Sequence, residues 1–223
     1  MARMIPTFKK YLGKIVPRKA PKAVENLEEY FRGLTPKRDA LLVELEEEAR
    51  DEGIPIVGPV VGELLFILAR ATQAKHILEL GTANGYSAIH LARACDVLEG
   101  KVVTVERDAE MAKRALANLQ KAGLEHRVEI RVGDAFQEMT NMTGSFDFVF
   151  LDVDKNNYAA TLPHCDRLLK TGGLLVADNV ALQGVEDFNL AVLSHPRWKT
   201  VHLLCFLPGH GLEKDGLCIA VHV

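Results

Sequence analysis

The sequence predicts an α/β fold built on a mostly parallel β-sheet. From residue 75 onward, short apolar runs alternate with amphipathic stretches, which is the pattern of successive βα units. Only a turn region, Pro208-Gly209-His210-Gly211, separates the last two runs, so we expect an antiparallel hairpin at one end of the sheet. The predicted strands span residues 76–80, 102–106, 128–132, 146–151, 173–177, 200–206 and 217–223.

Two helices are predicted ahead of the first strand. Residues 36–52 and 60–72 carry apolar side chains at helical spacing, and Gly53-Ile54-Pro55 breaks the pattern between them. We expect both helices to cover the sheet or a pocket beside it. The length of 223 residues suits one domain, with a basic arm and covering helices in residues 1–52 and the core in residues 53–223.

Composition and charge argue against several broad classes of protein. A hydrophobic fraction of 48% and a charged fraction of 26% are typical of a soluble globular chain. The net charge of -3 argues against nucleic-acid binding through a broadly basic face, although the first 22 residues carry seven basic side chains and no acid. Neither a membrane span nor a secretory signal is indicated, so we expect a cytoplasmic protein whose four cysteines are reduced core thiols.

A glycine turn follows the first predicted strand, where ligands of open α/β sheets bind. Gly81 and Gly85 let the backbone turn tightly, and the helix that starts after them offers free N–H groups to a polar ligand. The dinucleotide fingerprint G-x-G-x-x-G would require glycine where this chain has Ala83 and Tyr86. The turn therefore favours a ligand other than NAD.

Three acidic side chains lie near the predicted strand ends. Glu106 ends the second strand, at a sequence distance from the glycine turn that suits contact with a ribose diol. Glu79 lies between two leucines, where an unpaired charge would be costly, so we expect it to have a partner. Asp134 follows the third strand and either contacts the ligand or caps the next helix.

Oxygen-bearing side chains follow the fourth and fifth predicted strands. Asp152 comes directly after the fourth strand, and Asp178 and Asn179 come directly after the fifth. If these strands are neighbours, the three side chains form an oxygen donor set that suits Mg²⁺ or another hard cation. The alternative is that Asp178-Asn179 makes a turn and Asp152 caps the next helix.

These motifs resemble those of class I S-adenosylmethionine (SAM)-dependent methyltransferases. The series Glu79-x-Gly81-x-x-x-Gly85-x-Ser87 with Glu106 resembles their cofactor motif. The series D-x-D-K-x-x-Y at 152–158 and G-G-x-x-x-x-D-N at 172–179 is similar to the metal-dependent branch of the catechol and caffeoyl-CoA O-methyltransferase family. The resemblance extends from about residue 53 to the C-terminus.

The resemblance implies a fold, a reaction and two cofactors. The fold would be Rossmann-like, with a mostly parallel seven-stranded sheet, an antiparallel last strand and helices on both faces, and residues 53–223 would form its cofactor-binding core. The reaction would be methyl transfer from SAM to a hydroxyl of a small phenolic, catechol-like acceptor. A divalent cation, with Mg²⁺ as the first candidate, would assist, and the enzyme would be a homodimer.

The resemblance also implies roles for individual residues. Lys155 would take the hydroxyl proton, and Asp152, Asp178 and Asn179 would hold the metal. The cofactor site would be lined by Val57, Glu79, Gly81, Thr82, Gly85, Ser87, Glu106, Asp134, Ala135, Asp152 and Asp154.

The chain departs from the family pattern near the predicted acceptor site. Relatives often carry tryptophan two residues before Gly184, where this chain has Leu182, and the segment that follows is short. The short segment 181–187 predicts an open pocket and loose regiochemistry. Residues 211–216 lengthen the final hairpin without a functional explanation, and none of the eight histidines belongs to a metal-spaced pair.

Two other functions stay open on sequence grounds. An NAD-dependent dehydrogenase is disfavoured by Ala83, Tyr86 and the antiparallel ending. A noncatalytic SAM-binding protein would keep the glycine turn and Glu106, but would have no reason to retain Lys155 together with the predicted metal ligands.

Overall fold

Seven β-strands form a single sheet in the computed structural model, which describes residue 22 and residues 24–223. The strands follow the order β3-β2-β1-β4-β5-β7-β6 across the sheet. Strand β7 runs antiparallel to both of its neighbours, and the other pairs are parallel. Their bounds are β1 His76–Leu80, β2 Lys101–Glu106, β3 Val128–Val132, β4 Phe146–Leu151, β5 Leu169–Ala177, β6 Trp198–Phe206 and β7 Lys214–His222.

The predicted mostly parallel sheet with a C-terminal hairpin is confirmed. Strands β5 and β7 begin earlier than predicted, at Leu169 and Lys214. The hairpin ladder explains the second difference, because β6 pairs with β7 as far as Phe206 and Lys214 and so extends beyond the apolar run. The connecting loop consequently spans residues 207–213.

Eight α-helices accompany the sheet within the described residues. The predicted helices ahead of the first strand correspond to α2 and α3. Helix α2 begins later than predicted because Asp39 caps it, accepting a hydrogen bond from the Leu42 N–H at 3.0 Å. The helices are α1 Leu27–Arg32, α2 Ala40–Glu52, α3 Gly58–Ala71, α4 Tyr86–Asp96, α5 Ala109–Lys121, α6 Ala135–Asn141, α7 Tyr158–Leu168 and α8 Glu186–Ser194.

Two apolar clusters cover the opposite faces of the sheet, as the predicted helices on both faces require. The central strand β4 contributes to both, because successive side chains of a strand point to opposite faces. Phe148 and Phe150 lie in one cluster, while Val149 and Leu151 lie in the other. Both sides of β4 are therefore buried up to its last residue, and Asp152 is the first side chain beyond the core.

Four strands end level with one another at one edge of the sheet. In the strand register, Leu80 of β1 pairs with Val105 of β2 and Leu151 of β4, and Leu151 pairs with Ala177 of β5. The next residue of each strand therefore emerges at the same edge, between β1 and β4, where the strand order reverses. These four residues are Gly81, Glu106, Asp152 and Asp178.

Two expectations from composition can be compared with the fold. No helix among the described residues is long and apolar enough to cross a membrane. All four cysteines are free, and the prediction of core thiols is correct for the buried Cys95, Cys165 and Cys218, whereas Cys205 on the edge strand β6 is only partly buried. Burial raises the pKa of Cys165 and Cys218 to about 12, so these thiols are unreactive near neutral pH.

The predicted basic arm lies, apart from Lys22, outside the described residues.

Candidate active site

A cavity of about 620 Å³ lies at the edge of the sheet where β1, β2, β4 and β5 end. Its volume is typical of small-ligand sites. Only two of the predicted site residues do not line it. Glu79 is fully buried behind the wall, and Gly85 starts helix α4. The others all line it: Val57, Gly81, Thr82, Ser87, Glu106, Asp134, Ala135, Asp152, Asp154, Lys155, Asp178 and Asn179.

The glycine turn allows β1 to approach the end of β4. Gly81 has a φ of +98°, and a Cβ atom added to it would lie 2.0 Å from the backbone oxygen of Asp152. The Asp152 N–H donates to the Leu80 carbonyl at 2.9 Å, which holds the two strand ends together. Only glycine fits this conformation and this contact. The glycine turn and Asp152 therefore form one continuous part of the cavity wall.

Glu106 is bound to the glycine turn by backbone hydrogen bonds. Its Oε2 accepts from the N–H groups of Thr82 at 3.2 Å and Ala83 at 2.9 Å, and its Oε1 accepts from the Asp108 N–H at 3.0 Å. The carboxylate is half-buried at the cavity wall. This arrangement fixes the orientation of the carboxylate between β1 and β2.

Glu79 has the expected partner for only one of its carboxylate oxygens. Oε2 accepts from Thr104 Oγ1 at 2.6 Å, whereas the buried Oε1 has no hydrogen-bond partner within the described residues. Burial raises the pKa of Glu79 to about 8, against the opposing hydrogen bond from Thr104. A buried oxygen without a donor is costly in a protein, and protonation of this carboxyl, which its raised pKa favours, lowers that cost.

Asp134 both caps helix α6 and lines the cavity. Its Oδ1 accepts from the Gln137 N–H at 3.0 Å, so it is the N-cap of α6. It also lines the cavity together with Ala135 and Phe136. The capping alternative is thus correct for this residue, and it is compatible with ligand contact.

Asp152 pairs with Lys155 and does not cap the following helical turn. Lys155 Nζ lies 2.7 Å from Asp152 Oδ1 and 3.1 Å from the Tyr158 hydroxyl. The cap of that turn is Asp154, which accepts from the Asn156 N–H at 3.1 Å. The capping alternative is therefore wrong for Asp152. Its carboxylate lines the cavity and is available to a bound ligand.

Tyr158 joins the ends of β4 and β5 beneath this pair. Its hydroxyl lies 3.2 Å from the Leu151 carbonyl and 3.0 Å from the Asp178 carbonyl. Burial, together with the charges of Asp152 and Asp178, raises the pKa of Tyr158 well above its ordinary value. The hydroxyl is therefore a neutral hydrogen-bonding group that holds the two strand ends together.

Asp178 and Asn179 lie at the end of β5 in a network with two residues of the C-terminal hairpin. The buried Asp178 accepts from the Asn179 N–H at 2.8 Å through Oδ1, and its Oδ2 lies 2.9 Å from His210 Nε2. The side-chain amide of Asn179 donates to Asp215 Oδ2 at 2.8 Å. Asn179 has a φ of +54°, so the pair also forms the turn that the sequence left as an alternative.

His210 is a cavity residue that the sequence analysis missed. It lies on the loop 207–213 and is only 8% exposed. Burial alone would lower the pKa of His210, but the hydrogen bond and the charge of Asp178 outweigh burial and hold the pKa above its ordinary value. The predicted hairpin contained the signal, because the end of β6 lies at the same edge of the sheet as the end of β5.

The donor chemistry of this group suits a divalent cation. Burial raises the pKa of Asp152, and the charge of Asp178 adds to the rise while Lys155 opposes it, so the two carboxylates repel each other across the wall. A bound cation would relieve that repulsion. No group of three or more His, Cys, Asp or Glu side chains in the described part of the chain is arranged to hold a metal ion, so a three-donor set has to include the Asn179 amide.

Known proteins share this fold, and their sequences align with most of this chain. The family model described as O-methyltransferase matches residues 36–198. The catechol O-methyltransferase of Niastella koreensis is 37% identical over 166 residues, which cover 72% of this chain and 75% of that protein. The O-methyltransferase TomG from Streptomyces achromogenes, solved in complex with SAM, is 30% identical with a TM-score of 0.79 over 88% of this chain and 95% of that chain.

A second solved structure supports the same cofactor. The O-methyltransferase from Bacillus cereus, in complex with SAH, is 30% identical with a TM-score of 0.77 and covers 88% of this chain and 96% of that chain. The match to the family model spans most of this chain, and its strand order and glycine turn agree with the predicted methyltransferase fold. The chain therefore belongs to the O-methyltransferase family and is a SAM-dependent O-methyltransferase.

Proposed function

We propose that the enzyme methylates a hydroxyl of a small phenolic, catechol-like acceptor with the help of a divalent cation. One observation carries this proposal: a single cavity is lined by the glycine turn and Glu106 on one side, and by Asp152, Lys155 and Asp178 on the other. The name of the Niastella koreensis relative supports the acceptor class. The comparisons do not favour the two alternatives, an NAD-dependent dehydrogenase and a noncatalytic SAM-binding protein.

The side of the cavity near β1, β2 and β3 would bind SAM. In this proposal Glu106 accepts hydrogen bonds from the ribose diol, and the buried Glu79 supports the glycine turn from behind the cavity wall. The sulfonium of SAM makes its methyl group electrophilic, so the enzyme has to align the acceptor oxygen with that methyl group. The other residues that line this side would be Val57, Gly81, Thr82, Ser87, Asp134, Ala135, Asp152 and Asp154, and Gly85 would serve the cofactor site by starting helix α4 behind them.

The side near β4 and β5 would prepare the acceptor hydroxyl. A phenol with a pKa near 10 is ionised to about one part in a thousand at pH 7, a deficit of roughly 4 kcal/mol. A divalent cation held by Asp152, Asp178 and Asn179 would lower the pKa of a hydroxyl bound to it. Lys155 Nζ lies 2.7 Å from Asp152 and would take up the hydroxyl proton as a neutral amine, a form that the charge of a cation bound at Asp152 would favour.

The assembly and location of the enzyme are part of the same proposal. We place it as a single-domain homodimer in the cytoplasm. Apolar side chains exposed on the edge strand β6, including Leu203 at 40% and Leu204 at 84%, support a protein contact at that edge. The free cysteines support a reducing compartment.

Removal of divalent cations tests the proposed chemistry. Turnover of catechol with SAM should stop in excess chelator and return on addition of Mg²⁺, because the oxyanion then loses and regains its source of stabilisation. Asp178→Ala should lose activity while still binding SAM, whereas Asp51→Ala, which removes an exposed carboxylate of helix α2, should behave like the parent. Full activity in excess chelator would refute the role of the cation and leave the family assignment standing.

A further inference from the structure

A second cavity, which we call the apolar groove, lies between α1, α3 and the end of β6. It has a volume of about 540 Å³, and among the described residues it shares no lining residue with the cavity of the candidate active site. Phe31 of α1, Leu64 and Ile67 of α3 and Phe206 of β6 line it, and Glu63 is the only charged side chain in this described lining. Phe31 and Ile67 are half exposed. An open apolar surface of this kind marks a contact with another segment or molecule.

Helix α1 borders the groove and lacks a covering partner among the described residues. It has only six residues, and none of its side chains is buried. Ion pairs of Arg32 with Glu213 and of Glu28 with Lys214 attach it to the C-terminal hairpin. Exposed ion pairs contribute about 0–1 kcal/mol, and an isolated helix of this length is marginal in water. Further apolar contacts are therefore needed to hold α1 in place.

The sequence ahead of α1 contains an apolar stripe, by which we mean apolar residues at the spacing of one helix face. Its positions are Met4, Ile5, Phe8, Tyr11, Leu12, Ile15 and Val16. Lys10 and Lys14 fall on the opposite side of this pattern, and Pro17 follows its last position. The segment lies outside the described residues. A stripe of this kind needs an apolar surface to cover it.

We propose that residues 4–16 occupy the apolar groove of their own chain and thereby cover α1. The chain is long enough for this return, because the ten residues from Val16 to the α1 cap Asn26 can span about 33 Å, whereas α1 is about 9 Å long. Charge favours the same contact. The first 22 residues carry seven basic side chains and no acid, and they would meet Glu63 in the groove and Glu29 at the start of α1.

Covalent attachment favours this occupant over a free partner. Residues 17–25 join the segment to α1, so its effective concentration at the groove is on the order of 1 mM. A basic segment with an apolar stripe can also bind a membrane surface, and a second copy of the chain could cover the groove. The test below gives a different result for each of these occupants.

Cys205 provides a reporter of this contact within the protein itself. It lines the groove and is partly buried, whereas the other three cysteines are buried, with pKa values raised by burial to about 11 or 12. The thiol reagent DTNB should therefore react first at Cys205. Burial also raises the pKa of Cys205, so labelling would be followed at about pH 8.5.

Substitutions in the apolar stripe should uncover Cys205 in the full chain. Phe8→Asp and Leu12→Asp should each be labelled at least about tenfold faster than the parent, because a carboxylate is costly to bury in an apolar groove. Lys14→Gln, on the opposite side of the stripe, is the matched control and should keep the parent rate. Cys205→Ser should abolish the labelling, and SAM binding by each variant reports that it is folded.

The outcomes separate the possible occupants of the groove. An unchanged labelling rate in both Phe8→Asp and Leu12→Asp would overturn the proposal. A parent rate that falls as the protein concentration rises would assign the groove to a second copy of the chain. Equally fast labelling of the parent and both variants, with only the parent binding vesicles of anionic phospholipid, would assign the segment to a membrane surface. The assay requires neither catechol turnover nor a cation, so its result is independent of the proposed function.

Discussion

At the scale of single residues, the cavity and the wall behind it contain carboxylates whose environments differ. Glu106 accepts three backbone hydrogen bonds, Glu79 has one unpartnered oxygen, Asp152 pairs with Lys155, and Asp178 faces His210. All four side chains end in a carboxyl group, so their different chemistry comes from the groups around them. Each environment therefore supports a separate test.

Glu106 provides the test of cofactor binding. Glu106→Ala should weaken SAM binding by about 1.5–3 kcal/mol, or about 10- to 150-fold, because it removes a charged hydrogen-bond acceptor. Isothermal titration calorimetry measures the change. Glu110→Ala, which removes a solvent-exposed carboxylate four residues further on, is the matched control and should bind SAM as the parent does. Parent-like affinity in Glu106→Ala would show that this carboxylate does not hold the ribose.

Lys155 provides the test of proton transfer. Lys155→Ala should lower kcat on catechol by about 10²–10⁴-fold, the usual contribution of a general base, while SAM affinity stays close to that of the parent. Steady-state kinetics and calorimetry give the two values. Lys113→Ala, which removes an exposed lysine paired with Glu110, should leave both values unchanged. An unchanged kcat in Lys155→Ala would mean that another group takes up the proton of the acceptor hydroxyl.

Glu79 provides a test through the pH dependence of stability. Its pKa of about 8 in the folded protein lies above its ordinary value of 4.5, so the folded state holds a proton that the unfolded state releases. The contribution to stability is complete below pH 4.5 and is lost as pH rises towards 8. In the absence of SAM, the free energy of unfolding should fall by on the order of 3 kcal/mol between pH 4.5 and 7 from this group alone.

Glu79→Gln isolates that contribution because glutamine does not titrate. Urea unfolding at pH 5 and pH 8 should show a smaller loss of stability in Glu79→Gln than in the parent. Glu125→Gln, at an exposed position, should keep the pH dependence of the parent. Identical pH profiles for Glu79→Gln and the parent would mean that Glu79 is not held in a protonated form.

At the scale of elements, the close approach of β1 to β4 depends on Gly81. Gly81→Ala combines a left-handed φ of +98° with a Cβ atom 2.0 Å from a backbone oxygen. Strain and overpacking each cost about 1–3 kcal/mol, so the free energy of unfolding should fall by about 2–6 kcal/mol. The glycine turn and Asp152 should separate, and SAM binding should be lost with them.

Gly123 offers a matched control for this prediction. It also has a left-handed φ, of +69°, but no atom lies within 4 Å of an added Cβ. Gly123→Ala should therefore lose only about 1–2 kcal/mol, the cost of the backbone conformation. Urea denaturation of both variants compares the two losses. Equal losses would show that the contact with Asp152 is not what requires glycine at position 81.

At the scale of the whole molecule, the strand order decides which loops share the cavity. The central position of β1 and β4 brings the loops after β1, β2, β3, β4 and β5 to one edge, and the hairpin adds the loop after β6. The side of the cavity that we propose for the acceptor is consequently bordered by Leu182 and by residues 210–212. The loose regiochemistry expected from the short segment 181–187 stays a prediction, since His210 and Leu212 also shape that side.

Local sequence was enough to determine the strands, the turns and the residues that follow them. Gly81 and Glu106 were recognisable because a tight turn and a strand-end acid are set by a few neighbouring residues. Asp152 and Asp178 were expected to meet because parallel neighbouring strands end at the same edge. The pairing of β4 with β5 provides that adjacency.

Only the tertiary structure decided which side chains touch one another at that edge. The contact of Asp178 with His210 joins positions 32 residues apart, and it depends on the hairpin lying beside β5 and on Gly209 packing against Gly58. The unpartnered oxygen of Glu79 likewise depends on complete burial of that side chain. Periodicity and spacing describe one segment at a time, whereas these contacts arise from the packing of several segments, so the sequence alone could not determine them.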